Sequence, residues 1–182
     1  MPDHPSHHLV YGTLHDYLTG EELVDTDDER IRQQLSRLMV EERGYRRDEL
    51  KPRLTIETLF TRNFVTSTIE LTVELQHKQF MIVRYGPGSL VSRERSALAA
   101  ARVLNDEYRI PLAVVTNGRD AVLLDTITGK VIDQGLQAIP DRKRALEILP
   151  SLIFLPPQDE EKRLREKRIL NAFDLERCCI GI

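Results

Sequence analysis

Tryptophan is absent, aromatic residues make up only 5% of the 182 positions, and cysteine occurs twice, side by side at Cys178 and Cys179. So few rings give no hint of a sugar platform or of a base-stacking surface. Two adjacent cysteines exclude a disulfide framework and a zinc ribbon with spaced ligand pairs, and they suit a reducing, cytoplasmic setting. No stretch approaches the roughly 18 apolar residues of a membrane span, so no membrane partner is expected. The opening MPDHPSHHLVYG lacks the basic and apolar regions of an export signal. The ending Cys179-Ile180-Gly181-Ile182 matches a prenylation box in form, without the polybasic run that usually precedes one. Gly86-Pro87-Gly88 is not followed by the Lys and Ser or Thr of a phosphate-cradling loop, and His15 and His77 have no nucleophile beside them.

Positive charge is also missing from one region. Asp3, Asp16, Glu21, Glu22, Asp25, Asp27, Asp28 and Glu29 precede the first Arg or Lys, at Arg30. Of 26 basic and 29 acidic residues, the chain after Glu29 therefore keeps all 26 bases against 21 acids, a net +5. Residues 1–24 show no sustained hydrophobic period and read as an acidic arm. Two roles are open for it: a solvated tail, or an arm that competes with nucleic acid for the basic body. His4, His7 and His8 near its start either belong to a tail without fixed geometry or bind a stray transition metal.

Composition is otherwise that of an ordinary globular protein, with 41% hydrophobic and 30% charged residues. Thr26 and Glu29 form a capping-box signature, and Ile31, Leu35, Leu38 and Met39 follow on one helical face until Gly44. RLTIETLF reads as a strand. In STIELTVEL, Ile69, Leu71, Val73 and Leu75 alternate with polar residues, which predicts one buried face and one bearing Glu70, Thr72 and Glu74. FMIVRY is continuously apolar before Arg84, as expected of a strand covered on both sides. The Ala-rich run RERSALAAARVLNDEY predicts a helix that crosses close to a sheet. PLAVVTN and DAVLLDT are strands joined by the Asn117-Gly118 turn, and Thr128-Gly129-Lys130 continues the meander. A short helix over about 141–149 and a charged terminal helix beginning near Asp159 complete the chain, with Glu161 and Arg165 set as a helical ion pair. The expected organisation is an acidic arm (1–24), an α/β domain (25–139) with the order α-β-β-β-α-β and a mixed sheet flanked by helices, and a C-terminal helical extension (140–182).

That layout, with Glu29-Arg30-Ile31-Arg32 on the first helix, Gly44-Tyr45 after it, the strand pair around Glu70 and the late Thr116-Asn117-Gly118, resembles the N-terminal domain of type I restriction enzyme R subunits. The resemblance covers roughly Asp25 to Ile139. It implies the restriction-endonuclease-like fold of the PD-(D/E)XK superfamily, in which an Asp on the second core strand and a Glu-x-Lys on the third hold magnesium. Two hard oxygen ligands share the cation there, and the lysine supports the attacking hydroxide or the transition state.

On this sequence the resemblance puts the Asp position at Glu70, which keeps a carboxylate. It puts the Glu-x-Lys at Arg84 and Gly86, which keep neither the ligand nor the lysine. A guanidinium is always charged and has no lone pair to donate. The motif is therefore degenerate, and no cofactor is expected. Arg84 has two readings: an ion pair with Glu70 across the strands, or a separate side chain facing solvent. If the domain is an active nuclease, magnesium must be held by Glu70 with a migrated acid. Glu29 is the first choice, because active relatives use a helical acid there, and Glu57, Glu74 and Glu94 come after it. Arg93, Arg95 and Arg102 on the Ala-rich helix are candidates for phosphate contact, with a solvated helix face as the other reading. Three functions remain open: a non-cleaving domain that binds DNA or a protein of DNA metabolism, a metal-dependent nuclease with rebuilt ligands, and an assembly module that forms a homodimer through its C-terminal extension.

Overall fold

The computed structural model describes residues 10–86 and 88–179, and side chains as far as residue 175. His4, His7 and His8, the side chains of Cys178 and Cys179, and Ile180 to Ile182 lie outside the described residues. Strands β1 (Val10–His15) and β2 (Glu22–Thr26) form an antiparallel hairpin. Helix α1 (Asp27–Arg37) follows at once and runs into a π-helical turn, Leu38–Glu42. Then come β3 (Leu50–Phe60), β4 (Asn63–Leu75), β5 (Lys78–Tyr85), α2 (Val91–Val103), β6 (Leu112–Thr116), β7 (Ala121–Asp125) and β8 (Val131–Gln134). Helices α3 (Arg142–Ile148) and α4 (Glu160–Cys179) close the described chain.

The six strands β3 to β8 make one sheet in sequence order. All neighbours are antiparallel except β5 and β6, which are parallel and connected through α2. A parallel pair needs such a crossover, whereas two-residue turns suffice elsewhere, as at Thr61-Arg62 and Gln76-His77. From α1 through β6 this is the expected α-β-β-β-α-β order. The Thr26 hydroxyl accepts the Glu29 N–H at 3.2 Å, so the start of α1 is capped as its sequence suggests. Gly44 and Gly118 both have positive φ, at 73° and 83°, where the chain leaves the first helical segment and where it turns between β6 and β7.

The sheet separates two apolar cores. One lies under α1, the π-helical turn and α3, and holds Leu35, Met39, Tyr45, Leu71, Val73, Phe80, Met81 and Val83. The other lies under α2 and α4, and holds Ile56, Ile69, Ile82, the alanines of α2, Val115 and Leu170. Ala97, Ala99, Ala100 and Ala101 are fully buried, since α2 is sandwiched between the sheet and α4. No helix among the described residues is long and apolar enough to cross a membrane.

Two expectations are corrected. The described part of the presumed arm is not featureless: residues 10–26 form the β1–β2 hairpin, and Asp16 at its turn is buried. The polar face of β4 is not open either, since Glu70 and Thr72 are buried. With α4 laid against β3 and β4, this strand is covered on both sides.

Candidate functional site

Alternation would keep Ile69 and Leu71 on one side of β4, yet Ile69 belongs to the α2 core and Leu71 to the α1 core. The strand turns over at Glu70. On the neighbouring strand the ladder bridges Pro52 to Leu71 and Leu54 to Ile69, and Arg53 between them has φ +54°. This local twist brings Glu70 and Arg53 to the first turns of α1. Glu70 Oε2 accepts the backbone N–H of Tyr85 at 3.0 Å, on the edge of β5 that faces β4, since the next N–H, of Gly86, donates to Thr116 of β6.

Glu29 comes to the same place from α1. Arg32, one turn further on, extends between the two acids: its Nη1 is 3.1 Å from Glu29 Oε2 and its Nη2 is 3.9 Å from Glu70 Oε1. Gln33 donates to Glu29 Oε1 at 2.8 Å and to Asp16 Oδ2 at 3.1 Å. Arg53 donates to the same Asp16 oxygen at 2.5 Å, and it lies 3.4 Å from Glu21 and 3.8 Å from Glu29. Asp16 also accepts the N–H groups of Leu18 and Thr19, each at 2.8 Å. Burial pushes the Asp16 carboxyl up, but the hydrogen bonds from Arg53, Thr19, Gln33 and Leu18 together outweigh it and hold the pKa at about 2.

The structure thus brings together Glu29 and Glu70, and it sets a guanidinium between them. That donor set does not suit magnesium. The ion needs oxygen ligands at about 2.0–2.1 Å around itself, and Arg32 fills the gap with a fixed positive charge and no lone pair. Among the described residues no group of three or more His, Cys, Asp and Glu could hold a metal ion.

Arg84 lies on the other side of the sheet. It donates to both carboxylate oxygens of Asp174 on α4, at 3.0 and 3.2 Å, and to the Ser96 hydroxyl at 3.1 Å. Both readings of Arg84 are therefore replaced: it is buried at 4% exposure, and its acid comes from α4 rather than from β4. The side chain of Arg93 crosses Gly86, and a Cβ added to this glycine would fall 2.5 Å from it. Arg95 and Arg102 share Glu166 of α4, at 2.6 and 2.8 Å, and Arg102 also donates to the Thr126 carbonyl. These two arginines tie α4 to α2, so they do not form a free phosphate-facing row. Glu57 is exposed, and Glu74 and Glu94 are half-buried away from the Glu29–Glu70 cluster.

A family model described as the type I restriction enzyme R protein N terminus matches residues 27–140. The chain belongs to this family. Neither the curated proteins nor the solved structures contain a match. The matched span of the R-protein domain begins at the first residue of α1 and ends two residues before α3. It includes Glu29, Arg32, Arg53, Glu70, Arg84 and Gly86. Asp16 and Glu21 on one side, and Glu166 and Asp174 on the other, lie beyond it. The main residues missed by sequence reasoning are Arg32, Arg53, Asp16 and Asp174. Only Arg32 left a local signal, its helical spacing from Glu29.

Proposed function

We propose that this R-protein N-terminal domain has a nuclease-like site of the PD-(D/E)XK kind that no longer cuts, and that the domain works by binding nucleic acid. The observation that carries the reading is Arg32, set between Glu29 and Glu70 where a catalytic metal would need both acids to itself. An internal cation, hydrogen-bonded to Glu29 and ion-paired with Glu70, sits beside the carboxylates that a metal-dependent nuclease keeps for its ion. Arg84 supports the same reading, since a guanidinium bound to Asp174 supplies no ligand. The family, named for a restriction enzyme, is what supports nucleic acid as the partner.

Calorimetric titration of magnesium and manganese, run beside a cleavage assay on single- and double-stranded DNA, tests this. The expected outcome is no specific uptake and no cleavage. Metal uptake and cleavage that are both lost in Glu70→Ala would overturn it and establish a rebuilt nuclease.

A further inference from the structure

The β1–β2 hairpin is attached in an unusual way. Among residues 10–26 the one buried side chain is a carboxylate, Asp16. Apolar contact is slight, with Leu18 half-buried against the α1 core. Arginines do most of the holding. Arg30 lies over the Tyr11 ring at 3.9 Å and donates twice to Asp25, at 2.7 and 2.9 Å. Arg37 and Arg47 both lie over the Tyr17 ring, at 4.6 and 4.3 Å. Arg53 takes Asp16 and Glu21. The hairpin itself holds Asp16, Glu21, Glu22 and Asp25 and no Lys or Arg.

Carboxylates on guanidinium forks and rings on guanidinium faces are the two kinds of contact that a nucleic-acid strand offers arginine, through its phosphates and through its bases. From these contacts we infer that the hairpin covers a binding surface for single-stranded nucleic acid made by Arg30, Arg37, Arg47 and Arg53. Asp16 and Glu21 stand where phosphates go, and Tyr17 stands where a base stacks. The inference rests on the nucleic-acid reading above and adds its location and its control. The hairpin and the strand compete for the same four arginines, so the resting protein binds weakly and displacement of residues 10–26 opens the surface. The four arginines lie on two neighbouring segments, α1 and the stretch from Arg47 into β3, beside the Glu29–Glu70 cluster.

Fluorescence anisotropy with a labelled single-stranded oligodeoxynucleotide, on the full chain, tests it. Asp16→Asn with Tyr17→Ala removes the two main contacts of the turn and is expected to tighten binding by about tenfold, because the closed hairpin no longer reduces the competent population. Adding Arg37→Glu and Arg47→Glu to that variant is expected to abolish the gain. Hydrogen exchange on the unaltered protein gives a readout that needs no variant: the oligonucleotide is expected to speed exchange of the amides in 10–26. If all variants bind with one affinity and hairpin exchange is unchanged or slowed, the inference falls while nucleic-acid binding stands. If the duplex of the same sequence binds and the single strand does not, the inference alone falls; if no form binds either, both fall.

Discussion

The two faces of the sheet use arginine in opposite ways. Under α4, each buried acid is matched to arginines at short range: Asp174 to Arg84, and Glu166 to Arg95 and Arg102. Beside α1, Arg32 and Arg53 are shared among Asp16, Glu21, Glu29 and Glu70, at distances from 2.5 to 3.9 Å and with about a quarter of each arginine exposed. Closed pairs of the first kind fix one packing, since separating them strands a charge away from water. An open, shared network can exchange one anion for another. The α4 side therefore reads as architecture, and the α1 side is where we propose that a ligand binds.

Arg84→Ala breaks the closed side and is expected to cost about 3 kcal/mol or more, measured by urea unfolding. The double variant Arg84→Met with Asp174→Leu replaces both members by apolar groups and should recover most of that loss. If it recovers nothing, the pair does more than hold α4. Arg53→Ala opens the other side and should cost less, about 2 kcal/mol, as expected for a lost charge-assisted hydrogen bond. Its effect should fall on the hairpin, as faster exchange of amides 10–26 with the sheet unchanged.

The same contact sets a pH dependence. The folded pKa of Asp16 is lowered to about 2, against about 3.9 in an unfolded chain. Its contribution to hairpin stability is thus complete above about pH 4 and is lost as pH falls through about 2. In Arg53→Ala the Asp16 pKa rises, so acid opening of the hairpin should begin at higher pH, which NMR titration of the hairpin amides would follow. The smallest effect expected is that of Thr26→Ala, about 1 kcal/mol from the lost cap of α1.

Much of the sheet was legible because its strands carry the apolar patterns that burial demands. FMIVRY and the alanines of α2 state by composition that both their sides are covered, and they are. β4 misled because Glu70 and Thr72 look like an open face and are both buried: α4, which begins 90 positions after Glu70, lies against this strand, and Glu70 itself is turned toward Arg32 of α1. The β1–β2 hairpin was invisible for the opposite reason: with four exposed residues at the start of β1, and anchors that are ionic and aromatic, it has no hydrophobic period to read. At the site, Glu29 and Glu70 were named from the sequence, and the guanidinium between them was not. Asp174 was out of reach, since nothing in local spacing couples residues 84 and 174.

The surroundings of Gly86 and Arg84 set what it would take to build a metal site at these positions. Installing a Glu at 84 would set a carboxylate against Asp174, and any side chain at 86 would collide with Arg93 unless that arginine moved. A carboxylate at 84 would thus be repelled by Asp174 unless that acid were replaced too, and a side chain at 86 would require Arg93 to swing aside, so a metal site engineered here needs changes at 84, 86, 93 and 174 together.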